Sequence, residues 1–188
     1  MENINDETLI RKYLEGDENS LEVLIKKYLK PIYNFLYRYL ENQQDAEDAT
    51  QKTFIKVWRN LKKFDQKRSF KIWIFQIAKN TAIDFIRKKK EILFSEFENE
   101  VLNKKIIDPA SLKATEISEK AEISQKINLI VKTLPSKYRM ILLLHYNDHF
   151  TFREIAEILN EPLNTIKSRH QRAILILRKI LKGQIKNK

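Results

Sequence analysis

Cysteine is absent from this 188-residue chain, which removes disulfides, zinc–thiolate sites and thiol catalysis together. Glycine is nearly missing, with two residues, and proline is scarce, with four. Tight turns and sheet corners draw on both, so a sheet-rich fold is not expected. No apolar run approaches the ~20 residues needed to span a bilayer. The opening residues, MENINDETLIRKYLEGDE, are acidic and lack the apolar stretch of a signal peptide. A cytoplasmic protein without membrane insertion is the expectation.

What is present is charge, and it is unevenly placed. The net charge is +11 and the pI is about 9.6. Between Lys56 and Lys90 twelve bases face two acids, Asp65 and Asp84; from Lys167 to Lys188 eight bases face none. Two separated basic blocks suggest two contacts with a polyanion, the plainer alternative for either block being a solvated helix face.

Apolar spacing predicts an all-α chain of two small helical domains joined by a linker. In the first half, Asn5 or Asp6 opens a short helix through Leu14, ended by Gly16. Asn19 or Ser20 opens the next, with Pro31 as a possible kink. A third starts at Asp45, with Ala49, Phe54, Val57, Trp58 and Leu61 as its inward stripe. After a loop at 63–68, Ser69 caps a fourth helix to about Lys90. Its Ile74, Ile77, Ala78 and Phe85 face inward, and Gln76, Asn80, Ile83 and Arg87 share another face. From about 93 to 119 the pattern breaks, as expected of a linker. Helices at 123–132, 136–146, 152–159 and 164–182 follow.

Three segments carry function. TFREIAEILNEPLNTIKSRHQR (151–172) is a short helix, a tight break and a second helix, with Thr151 and Glu154 forming a capping box and Asn164 capping the second helix. Thr165, Lys167, Ser168, Arg169, Gln171 and Arg172 project from its first turns, where an inserted helix meets base edges and phosphates. An ordinary helical hairpin is the competing reading. DAEDATQKTFIKVW (45–58) places Asp48, Gln51 and Lys56 outward beside an apolar stripe, a face suited to docking on another helix. Acids at a helix start are also favoured by the helix dipole alone. FDQKRSFKIWIFQIAKNTAIDFIRKKK (64–90) interleaves aromatics with bases, which suits unpaired DNA. Trp73 and Phe75 serve equally as core, which leaves Phe64 as the better base contact. His145 and His149 have metal-ligand spacing but no third ligand, so no metal or cofactor is expected.

These three motifs, in this order, resemble the extracytoplasmic-function (group IV) sigma factors of bacterial RNA polymerase, across nearly the whole chain. The resemblance implies a core- and minus-ten-binding domain at 5–91, a linker at 92–121 and a minus-thirty-five-binding helix-turn-helix domain at 122–182. It implies polymerase contact through Asp45, Glu47, Asp48, Gln51, Thr53 and Lys56, on the clamp helices of the beta-prime subunit, with the beta subunit also a partner. It implies minus-ten contact through Phe64, Lys67, Arg68, Gln76, Lys79, Asn80, Arg87 and Lys88, with a base flipped from the non-template strand. The residues of the second helix named above would read the minus-thirty-five duplex. Such a protein directs polymerase to promoters and assists melting without chemistry of its own, and an anti-sigma factor is an expected partner. A free-standing helix-turn-helix regulator and an all-helical enzyme are the rival readings, and a degenerate sigma factor serving as a regulator or anti-sigma target is a third. The first lacks a use for residues 45–58, and the second lacks a nucleophile–base set or phosphate loop. The chain departs from the family pattern at Asn164-Thr165-Ile166, where Gly-Thr-Val is usual, at His170, where Leu is usual, and at Ile174, where a base is common. His170 is expected to be partly buried.

Overall fold

In a computed structural model of the protein, the backbone is described for residues 5–97 and 130–185, and the side chains for 5–89 and 130–182. Every regular element among them is helical. The first domain comprises α1 (Asp6–Leu14), α2 (Glu18–Leu40), α3 (Gln43–Asn60) and α4 (Phe70–Phe97), with a 3₁₀ turn at Leu61–Lys63. The second comprises α5 (Ser136–Leu142), a π-helical turn at Leu143–Asn147, α6 (Phe152–Leu159) and α7 (Leu163–Ile185).

Side-chain caps set the boundaries. Asn5 accepts from the Glu7 amide to start α1. Asp17, rather than Asn19 or Ser20, starts α2: its carboxylate takes the Asn19 amide at 3.1 Å and the Ser20 hydroxyl at 2.7 Å. Asn42 accepts from the Asp45 amide, so α3 begins two residues before Asp45. α2 runs as one helix through Pro31 and ends at Glu41, in the left-handed conformation (φ 59°). The capping box of α6 is present, with Glu154 reaching back to the Thr151 amide at 2.7 Å. α7 starts at Leu163, so Asn164 lies within its first turn and is not its cap. Of the helix expected at 123–132, residues 130–132 are helical and the rest lies outside the described residues, as does the linker at 98–121.

The first core gathers Leu24, Ile32, Phe35, Leu36, Leu61 and Phe75, each at most 1% exposed. Ile141, Leu144, Phe150, Ile155 and Ile166 form the heart of the second. The two are continuous: Phe75 of α4 meets Phe150 edge to face at 4.8 Å, and α4 packs along α6. This seam between the domains is pinned by ions at both ends. Arg139 of α5 hydrogen-bonds the Glu41 carboxylate and the Tyr39 carbonyl, the latter at 3.3 Å. At the far end, Arg38 lies 3.8 Å from the Asp148 carboxylate, and Lys71 sits 4.3 Å above the Phe150 ring.

Candidate nucleic-acid interface

α3 presents only part of its expected docking face. Glu47, Asp48 and Gln51 are exposed on one side of the helix. Lys56 and Asp45 turn instead to α4: the Lys56 ammonium bonds the Thr81 hydroxyl at 3.1 Å and pairs with Asp84 at 3.6 Å, and Asp45 pairs with Lys89 at 3.0 Å. Thr53, expected among the docking residues, is fully buried and donates to the Ala49 carbonyl at 2.7 Å. Its hydroxyl is satisfied by its own helix, so it behaves as a core residue. Trp58, expected inward, is 55% exposed. A shallow groove between α2 and α3 runs beside Glu47 and Gln51, lined on its other wall by Lys26, Leu29, Lys30 and Tyr33. Leu29, Tyr33 and Tyr37 recur every four residues, off the phase of the buried stripe, and the two tyrosine rings stack at 6.0 Å. That second stripe is visible in the sequence as an apolar or aromatic residue at every fourth position from Leu29.

Around α4 the candidate minus-ten residues divide. Phe64 is half-buried in an aromatic cluster, 4.7 Å from Trp73 and 5.7 Å from Phe70. Lys67 and Arg68 are exposed in a loop tightened by the Asp65 carboxylate, which accepts the Lys67 amide. Beside it lies a hollow of about 350 Å³ lined by Lys56, Asn60, Lys63, Trp73, Ile77 and Asn80. Its lining combines an indole, an isoleucine side chain, two amides and two ammonium groups. Of these residues Asn80 is a minus-ten candidate, Lys56 is expected on polymerase and Trp73 is expected as core as readily as base contact; Asn60 and Lys63 enter through the structure. Gln76 is half-buried, while Lys88 is exposed and Arg87 is exposed beside its neighbour Asp84. Lys79 departs from expectation: it is 8% exposed and faces the second domain. Burial pushes its ammonium toward the neutral form, opposed by Glu161.

In the second domain, α6, the left-handed turn at Asn160 (φ 54°) and α7 form the bihelical unit the sequence predicts. Lys167, Gln171 and Arg172 are exposed; Thr165 and Ser168 are half-buried, the Ser168 hydroxyl donating to the Thr165 carbonyl. Arg169 is held by Glu161, Nη1 to Oε1 at 2.8 Å. His170 is half-buried, 3.0 Å from the Tyr146 hydroxyl and packed on Phe152 and His145. Desolvation first, and the nearby His145 second, lower its pKa. No group of three metal-ligating side chains occurs among the described residues. None of their helices is long and apolar enough to cross a membrane.

Residues 24–92 match the family described as sigma-70 region 2, and residues 124–177 match sigma-70 region 4. The ECF RNA polymerase sigma factor SigW of Bacillus subtilis is 34% identical over 92% of this chain and 95% of its own. The chain belongs to the ECF sigma factors. The sigma-E factor of Escherichia coli K12 is 28% identical over 92% of both chains. Two solved structures share the fold over most of its length. CnrH in complex with the cytosolic domain of CnrY has a TM-score of 0.69 over 95% of this chain and 97% of its own, at 18% identity. The sigma factor RpoE of Bartonella quintana in complex with the anti-sigma factor NepR has 0.66 over 86% and 96%, at 23% identity. As a sigma factor, the protein acts in transcription initiation, and the helix-turn-helix lies within its region 4.

Proposed function

We propose that this sigma factor docks on core RNA polymerase through Glu47, Asp48, Gln51 and the Leu29–Tyr33 groove, on the clamp helices of the beta-prime subunit and with the beta subunit as a further contact. It reads the minus-ten element with residues 5–91 and the minus-thirty-five duplex with residues 122–182, with 92–121 as the connection. It works in the cytoplasm by binding alone.

The observation that carries the melting role is the hollow beside Trp73 and Asn80. Extracting a base from the stack costs a few kcal/mol. Stacking on one aromatic returns about 1–3 kcal/mol per base. A hollow with an indole wall and amide rim offsets that cost for one base, aided by Lys63 and the loop bases Lys67 and Arg68 on the phosphates. Long tracts would need more aromatic walls than this, so the opened promoters form a narrow, well-matched set. Lys167, Gln171 and Arg172 supply the duplex contacts.

The closed seam opposes this work, because it hides Lys79. Binding to promoter DNA therefore requires the domains to part. The neighbour RpoE, solved in complex with the anti-sigma factor NepR, supports an anti-sigma partner, here one that favours closure. Run-off transcription with purified core enzyme tests the reading. Transcripts from a minority of candidate promoters are expected; no transcript together with no retention on core polymerase rejects it.

A further inference from the structure

Tyr146 stands at the edge of the reading helix. It leaves the π-helical turn 55% exposed, yet its hydroxyl is tied, 3.0 Å from His170 Nε2 on α7. His170 follows Lys167 by three residues, so the two are neighbours on the helix surface. Lys167 is exposed there, and Gln171 and Arg172, also exposed, come next. The core side of the same helix is held by Ile166 and Ala173, both fully buried. The phenol therefore flanks the groups that meet a duplex rather than the groups that pack the domain.

The direction of the Tyr146–His170 hydrogen bond decides what the phenol can do. With a lone pair on Nε2, His170 accepts the Tyr146 hydrogen, and the phenol has none left to give. With a hydrogen on Nε2, as in the imidazolium, His170 donates to the phenol oxygen and frees the Tyr146 hydrogen for another acceptor. In the free chain desolvation first, and His145 second, hold His170 toward its neutral form. His145, its ring 5.5 Å away, donates from Nδ1 to the Phe150 carbonyl, since a carbonyl only accepts. Phe152 of α6 packs on both rings without charge. Glu154 is turned to its own cap at Thr151, and Asp148 to Arg38 of α2. Arg169, beside His170 in sequence, is held by Glu161. No carboxylate pairs with either imidazole among the described residues. The negative charge that would favour the donating state comes from outside the chain.

We propose that Tyr146 donates its hydroxyl hydrogen to a backbone phosphate of bound duplex DNA, with His170 as the positioning residue that turns from acceptor to donor by taking up a proton from solvent. The proton goes to Nε2, the phenol keeps its own hydrogen, and the phosphate gains one hydrogen bond; no covalent bond of the chain or the DNA changes. The contact carries no base information, because a phosphate is the same at every step. It rests on the proposed function in one respect, that the first turns of α7 meet a duplex. The phosphate raises the proton affinity of His170 above its depressed level in the free chain. Binding therefore takes up a proton, and this part of the affinity is lost as pH rises through the bound-state value.

The test titrates the full chain with a mixed-sequence duplex of about 20 base pairs at low salt, followed by fluorescence anisotropy. The pH is stepped from about 5.5 to about 8.5, across the range in which histidine changes charge. The readout is the ratio of affinities between the parent and Tyr146→Phe at each pH, in which any effect of pH on the seam cancels. Tyr146→Phe should bind about three- to tenfold more weakly at the acid end, and the ratio should approach one at the alkaline end. His170→Gln keeps a side-chain N–H for the phenol oxygen, so it should retain the Tyr146 contribution and lose its pH dependence. A ratio of one throughout overturns the proposal, and so does a ratio that stays the same at every pH, which is what a merely structural role gives. Lys167→Ala is the reference. If it weakens binding while Tyr146→Phe does not, the duplex-reading role of α7 stands and the Tyr146 contact falls; if neither weakens binding, both fall.

Discussion

Arg139, on α5 of the second domain, hydrogen-bonds Glu41, the left-handed residue that ends α2 in the other domain. The same guanidinium lies 5.4 Å from the Tyr39 ring and reaches the Tyr39 carbonyl. The contact joins residues 98 apart in sequence and leaves Arg139 only 15% exposed. Its Nε is nevertheless buried without a partner, as is Asp148 Oδ2 at the other end of the seam. Glu161 Oε2, the third buried atom without a hydrogen bond of good geometry among the described residues, is by contrast 2.6 Å from the Arg169 guanidinium of its own domain. An interface with incomplete polar satisfaction is one that separates at modest cost.

Arg139→Ala should open the seam. Hydrogen bonds involving a charged group contribute about 1.5–3 kcal/mol, so the closed-to-open ratio should fall about ten- to a hundredfold. Energy transfer between dyes on the two domains measures this. Glu41→Gly separates latch from helix: glycine adopts the left-handed conformation without the ~1–2 kcal/mol penalty of an L side chain. Closure should weaken while α2 holds or gains stability. Unchanged dye separation in both variants would mean Arg139 is not a latch.

Acidity should tighten the seam. An exposed aspartate titrates near 3.9, whereas Asp148 in the closed form is pushed up to about 7, burial outweighing the attraction of Arg38 on α2 and Lys71 on α4. Closing takes up a proton at pH values between these limits. The closed form therefore gains as pH falls through about 7, and above that the carboxylate must be buried charged. Asp148→Asn removes the desolvation of a charge, the largest of the three effects, and should favour closure at about pH 8 while flattening its pH dependence. Closure that stays steeply pH-dependent in Asp148→Asn would place the titration elsewhere.

The local parts of this fold were legible in the sequence and the distant parts were not. The helix-turn-helix was readable because Thr151, Glu154 and the break at 160–162 act over a few residues. The stretch DENS contains several cap-competent residues, and only the Asp17 carboxylate satisfying both Asn19 and Ser20 chooses among them. Polarity misplaced Thr53, because a threonine that bonds its own helix backbone is buried as readily as a valine. Lys79 and Asn80 read as one DNA face, yet they diverge, one into the seam and the other beside Trp73. Nothing near Lys79 in sequence announces Glu161, 82 positions on.

Arg169 and Lys167 should behave differently in duplex binding. Lys167 is exposed and available, so Lys167→Ala should weaken binding uniformly across sequences and reduce its salt dependence by about one counterion. Arg169 must first leave Glu161. Glu161→Gln should release it and tighten binding to the upstream element by a few-fold, an effect lost in the Arg169→Ala background. Fluorescence anisotropy at two salt concentrations separates these outcomes, and equal affinities for the parent and Glu161→Gln would show that the pair does not restrain the reading helix.

Docking on polymerase should depend on both walls of the groove between α2 and α3. Asp48 and Gln51 are exposed and belong to no buried cluster, so their replacement by Ala should leave the fold's melting temperature almost unchanged. Leu29 is 47% exposed on the facing wall, where an apolar side chain has no structural task in the isolated chain. Leu29→Asp should therefore reduce affinity for core polymerase at least as much as Asp48→Ala with Gln51→Ala, since it places a charge in an apolar contact. Thr53→Val is the control: it swaps a buried hydroxyl that bonds its own helix for a methyl, and core affinity should not change. If Thr53→Val reduced polymerase affinity while Leu29→Asp did not, the docking surface would lie elsewhere on the domain.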